Sequence, residues 1–186
     1  IIQGIDAISS KSIEDKSDAL RTQELQAAIQ RSLLADESAI ISLELVSDLP
    51  RLSKYGLAYQ GIATADNAAF TLAFWELPSI TSSWNTLQSA PPECLHFGGR
   101  YLLLRNTFFT HRDHRGNISG SQSWGKHGVA ISETGRLFPT IHWGDYFVSN
   151  CHVLTPHSQE QLAAIWCYAK SGELEREVRK RNKKLA

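Results

Sequence analysis

Apolar residues change their spacing twice along this chain. From Lys16 to about Leu34 they recur at helical intervals, with Leu25, Ala28, Ile29 and Leu33 on one stripe, which predicts a helix. Residues 1–15 carry Ser, Asp and Lys with weak periodicity and read as a leading segment. A second apolar stretch, Ala39 to Val46, approaches Pro50, which ends or precedes any regular element. Between Tyr55 and Pro156 the pattern becomes strand-like. GRYLLLRNTFF, HGVAISE and YFVSNCHVL are short, rich in β-formers and bounded by Gly, Asn or Asp. Thr155-Pro156 then supplies a capping residue and a first-turn proline for a helix striped by Leu162, Ile165, Trp166 and Ala169. Ser171-Gly172 breaks it, and a second helix starts at Glu173 with Leu174, Val178 and Leu185 sparse among charges. Its basic end, REVRKRNKKLA, suits a helix C-terminus on a solvated face.

These patterns predict an α+β fold. A helical connector covers 1–48, a mixed, mostly antiparallel sheet covers 49–156, and two C-terminal helices over 157–186 pack on that sheet. A length of 186 residues fits one domain with a helical appendage. Charge adds little: 19 basic residues balance 19 acidic ones, so no global field advertises a polyanionic partner, while local basic patches remain open. Cys94, Cys151 and Cys167 are far apart, odd in number and without a C-x-x-C, which fits a reduced, cytoplasmic protein. No apolar run is long enough to span a bilayer and no signal peptide is evident, so no membrane partner is expected. The chain begins Ile-Ile-Gln and contains no methionine, and the expectation is a piece of a longer protein.

Candidate chemistry is sparse. HRDH offers His111, Asp113 and His114 as metal ligands, but no second ligand pair stands at a recognisable spacing, and adjacent Cys151 and His152 point to opposite faces of a strand. FGGR at 97–100 lacks the lysine and glycines of a phosphate loop, and no Gly-x-Ser-x-Gly occurs. No catalytic, cofactor-binding or metal site is therefore assigned. In KYGLAYQGIATADNAAFTLAFWELP, aromatic-rich runs flank Thr64, Asp66 and Asn67, which read either as a surface turn or as a loop presenting polar groups to a ligand. THRDHRGNISGSQSWGKHG, residues 110–128, holds Arg112, Arg115, Lys126 and three histidines among Asn117, Gln122 and four glycines. It reads either as a solvent loop, mobile until a ligand orders it, or as a nucleic-acid contact. Arg and Lys bind phosphate oxygens, and Arg, Asn and Gln can read guanine and adenine edges.

Three stretches taken in order suggest a family. YQGIATADNAAFTLAFWELP, WGKHGVAISETGRLFPTIHWGDYFVSNCHVLTP and LAAIWCYAKSGELEREVRK resemble the C-terminal target recognition region of adenine-specific DNA methyltransferases of restriction-modification and related phage-defence systems. The opening of that region typically reads Gly-x-x-Thr-Gly-Asp-Asn-x-x-Phe, and residues 61–70 are similar, with Ala65 in place of the second glycine. The resemblance covers roughly residues 50–182. It implies sequence-specific recognition of double-stranded DNA on behalf of a catalytic domain in the same parent chain, which would bind S-adenosylmethionine. Neither the Asn-Pro-Pro-Tyr-type catalytic motif nor the Gly-rich cofactor motif of that domain occurs here, so methyl transfer by this piece alone is not expected. The implied DNA contacts are Lys54, Arg105, Arg112, Arg115 and Lys126 to phosphates, and Arg112, His114, Asn117 and Gln122 to bases, with Thr64 and Asn67 at the turn. Two other readings stay open: a protein-interaction module using Trp75, Trp84, Trp124 and Trp143, and a metal-dependent nuclease or hydrolase using His111, Asp113 and His114.

Overall fold

The N-terminal helix predicted from the apolar stripe is interrupted by a strand. In the computed structural model, which describes residues 1–5, 12–34, 50–111 and 115–181, α1 covers Ile13–Thr22 and α2 covers Gln30–Leu34. Between them β2 (Gln26–Ala28) pairs antiparallel with β1 (Ile2–Gly4). Ser12 caps α1 by accepting the Asp15 N–H at 3.0 Å, and the Asp15 carboxylate accepts the Ser12 N–H at 3.3 Å. The stripe misled because periodicity stabilises a helix only if something covers it. Leu33 is buried, whereas Leu25 and Ile29 are exposed. Ala39 to Val46 and Leu185 lie outside the described residues.

The chain divides into two units, Ile1–Leu49 with Glu177–Ala186, and Pro50–Arg176. The second holds two four-stranded sheets. One runs β3 (Gly56–Gln60), β10 (Cys151–Pro156), β7 (Gly128–Ser132), β8 (Pro139–His142) and is antiparallel throughout. The other runs β4 (Thr71–Ala73), β6 (Leu102–Arg105), β5 (Trp84–Gln88), β9 (Tyr146–Phe147), with only the β5–β9 pair parallel. The α+β class with mostly antiparallel strands is as the sequence patterns predict.

YFVSNCHVL is not one strand but the crossing point between the sheets. The Val148 N–H bonds to Gln88 O at 3.0 Å in the second sheet. The Ile62 N–H, just past β3, bonds to Phe147 O at 2.7 Å. One apolar cluster contains Ile62, Phe70, Leu87, Leu104 and Phe108, and another contains Ala130, Phe147, Cys151 and Val153; Trp124 and Val148 pack against both. GRYLLLRNTFF likewise contributes only β6 before tightening into a 3-10 turn, Asn106–Phe109, that buries Phe108.

Thr155 and Pro156 remain in β10 opposite Leu57 and Gly56, so they do not start the helix. Ser158 does: its N–H donates to Gln161 Oε1 at 3.4 Å and its carbonyl accepts the Gln161 N–H at 3.0 Å. After a 3-10 turn, α4 (Leu162–Lys170) packs on β7 and β8 with Ile165 and Ala169 buried. Gly172, at φ 86°, stops it, and α5 (Glu173–Arg181) begins with a Glu173–Arg176 ion pair. Cys94, Cys151 and Cys167 are free thiols, and burial pushes Cys151 up to about 12. No helix among the described residues is long and apolar enough to cross a membrane.

Candidate functional site

The stretch after β3 is organised by its own side chains. Thr64 is only 5% exposed and donates its hydroxyl to Asn67 Oδ1. Asp66 caps the short helix α3 (Asn67–Phe70) by accepting the Ala69 N–H at 3.0 Å, and the Thr71 hydroxyl bonds back to Asn67 O at 2.7 Å. Thr64 is thus spent on structure, and Asn67, which accepts from it, is exposed at the start of α3. Ala65 adopts φ 60°, the left-handed region, where Cβ crowds the backbone. It is the position at which the resembled motif carries glycine. Ala65→Gly relieves that crowding but enlarges the unfolded ensemble, and the balance should be a gain of about 0.5–1 kcal/mol in urea unfolding. A loss of stability would show that the left-handed turn is not populated.

Beside the turn lies an open concavity of about 430 Å³. Thr64, Ala65, Asp66, Ala69 and Phe70 of the turn line it together with His111 and Arg115. His111 meets Phe70 edge to face, with ring centroids 5.6 Å apart. Asp66 and Arg115 put one charge of each sign on this space, with one Asp66 oxygen accepting the helix-cap bond, and Phe70 and His111 give it an aromatic wall.

Residues 115–127 are built into the fold, unlike the loose loop that their composition predicts. Asn117 and Ala63 exchange two backbone hydrogen bonds, at 2.8 and 3.0 Å. The Ser119 hydroxyl donates to Gly61 O at 2.5 Å, and Ser123, fully buried, meets the Thr155 hydroxyl at 2.7 Å. Small polar residues cannot offset ordering entropy through burial, but backbone pairing with another segment can, and composition does not reveal that partner.

The predicted contacts fall into separate groups. Arg115, Asn117, Thr64 and Asn67 gather around the turn and its concavity. Gln122 and Lys126 are exposed in and just after the 3-10 turn Ser121–Ser123 that leads into β7. Lys54 is exposed at the end of the 3-10 turn Leu52–Lys54 before β3. Arg105 ends β6 with its guanidinium 5.0 Å from the Trp84 ring centre, a cation–π contact that holds the side chain in place. Arg112, Asp113 and His114 lie outside the described residues.

Among the described residues no three His, Cys, Asp or Glu side chains are grouped to hold a metal ion. The tryptophans do not form one patch: Trp124 is packed in the core with Tyr146, whereas Trp75 stacks on Tyr101 and Trp143 on Phe97. Sequence reasoning missed His111 as a neighbour of Phe70, and Phe97 as a neighbour of Trp143; no spacing rule connects residues so far apart. No protein-family model matches the chain, and no curated protein does either.

Proposed function

We propose that this chain recognises double-stranded DNA in a sequence-specific manner, serving an S-adenosylmethionine-dependent adenine-N6 DNA methyltransferase of a restriction-modification or related defence system. The observation that carries the reading is the Ala63–Asn117 backbone pair, which brings Asn117, with Arg115 two residues before it, to the Thr64–Phe70 turn. A guanidinium suits a phosphate or a guanine edge, and an exposed amide suits adenine. Pinning Asn117 through its backbone, rather than its side chain, leaves the amide free to read a base. Arg105 and Lys126 add cations on other elements. The methyl donor and the flipped adenine would belong to a catalytic domain of the parent chain, with this region gripping the flanking duplex. Balanced net charge is compatible with that role, since tethering supplies effective concentration.

The test is selection of bound duplexes from a random-sequence pool by the purified chain, followed by affinity measurements across salt concentrations. A preferred site should emerge, with affinity falling steeply as salt rises. Arg115→Ala should flatten the salt slope by about one unit if Arg115 holds a phosphate, or relax one base position if it reads a base. Failure to enrich any sequence, together with salt-insensitive or absent binding, would refute the reading. A second reading, protein docking, is favoured by Phe74, Trp75 and Tyr101, which are packed together yet exposed, Trp75 to 65%.

A further inference from the structure

A second surface of the sheet-rich unit, away in sequence from the α3 turn, carries a built aromatic platform. Phe97 and Trp143 stack with centroids 5.7 Å apart and planes 19° from parallel, yet they remain 62% and 43% exposed. His127 meets Trp143 edge-on at 4.8 Å, and Lys126, next in the chain, is exposed.

The platform is held from behind. On one side of Phe97 the Ile141 N–H bonds to His96 O at 3.1 Å. On the other, the Gly98 N–H bonds to the Thr140 hydroxyl at 2.6 Å, and Gly98 O accepts from the Gln88 amide at 3.2 Å. Gln88 is itself fixed by His142, whose Nδ1 lies 2.6 Å from Gln88 Oε1, and all three of these supporting side chains are fully buried. The Trp143 side is fixed by the Gly125 N–H to Gly144 O bond at 2.8 Å, a contact so close that a Cβ at Gly144 would sit 2.8 Å from Gly125 Cα. His127, two residues after Gly125, meets Trp143, and Lys126 lies between Gly125 and His127 in the chain. Placing two large rings in water on so rigid a support forgoes burial unless something flat covers them.

We propose that the Phe97–Trp143 stack binds one unpaired nucleotide, the base lying on the rings and its phosphate reached by the ammonium group of exposed Lys126, the residue before His127. The inference rests on the DNA reading above and adds a preference for locally opened strands. Any base has a flat face for such stacking, and the Lys126 cation matches the phosphodiester. The one acid on the Trp143 turn, Asp145, is neutralised by Arg100 at 2.7 Å. Charge separates this platform from the Trp75–Tyr101 stack, whose neighbouring Glu76 carboxylate, bonded to the Ala73 N–H at 2.6 Å, disfavours a phosphate.

The experiment compares the full chain binding to a perfect duplex, to the same duplex with a single-nucleotide bulge, and to an oligothymidine strand, by fluorescence anisotropy. The bulged duplex should bind on the order of ten-fold more tightly than the perfect one. Phe97→Ala and Trp143→Ala should each abolish that preference and leave perfect-duplex affinity unchanged, with Trp143→Phe restoring most of it. Melting curves identify any variant that has lost its fold, and Phe97→Leu then replaces Phe97→Ala. If the perfect duplex binds but the bulge confers no advantage, or the advantage survives both substitutions, the platform proposal is wrong while the duplex reading stands. No binding to any probe defeats both. A chain that self-associates in sedimentation and separates on Phe97→Ala shows instead that the stack is a protein interface.

Discussion

Phe108→Ala should destabilise the sheet-rich unit by about 3–5 kcal/mol. The ring is fully buried among Ile62, Phe70, Leu87 and Leu104 and meets Phe70 edge to face at 5.3 Å. Phe109 meets it in the same way at 5.4 Å. Truncation removes the transfer energy of a phenyl ring and leaves a cavity that the close-packed residues around it close only in part. The loss is a large part of the 5–15 kcal/mol typical of a domain. It also reaches the site: Phe70 lines the concavity, and a Cβ at Gly116 would lie 2.9 Å from the Phe108 ring, so the Arg115–Asn117 segment rests directly on it. Urea unfolding at pH 7 should give a lower midpoint with an unchanged slope. A loss below about 1 kcal/mol would mean that Phe108 is not in the core.

Acidification should cost the fold about 3 kcal/mol through His142 alone. Burial pushes this imidazole down to about 4; Arg100 and His127 act in the same direction, and the Ser123 backbone opposes them. Because the folded pKa lies below the unfolded one, the unfolded chain takes up the proton first. Stability is therefore complete above about pH 6.5 and falls as pH drops from there towards 4. Neutral His142 donates through Nδ1 to Gln88 Oε1, and Gln88 in turn holds the carbonyls of Gly98 and Ile141. Urea unfolding at pH 7 and pH 4 should show a larger drop in the natural protein than in His142→Gln, although the variant starts lower at pH 7. Equal drops would show that His142 does not stay neutral in the fold.

Where both partners of an interaction lie within a few residues, their chemistry was readable before the fold. The helix at Leu162 and its stop at Gly172 followed from apolar spacing and a residue suited to φ 86°. The turn at 64–67 followed from Thr, Asp and Asn, each of which bonds within its own segment. The helix stripe around Leu25 and Ile29 misled for the complementary reason: whether a stripe is covered depends on a surface that local sequence does not contain.

The candidate site was legible residue by residue but not as a site. Arg115 and Asn117 stood out by their composition, yet nothing near them in the chain names Ala63 as the backbone partner that seats them. Phe97 and Trp143 belong to different loops and meet because Gly98 and Gly144 are each bonded to distant backbone or side-chain groups. Sequence alone determined the α+β class, the strand-rich body and the break between the last two helices, because propensity, period and turn chemistry act over a few bonds. Tertiary structure decided which loops are pinned, which rings stay exposed and which cations share a surface, because long-range pairing sets those positions and no local pattern records it.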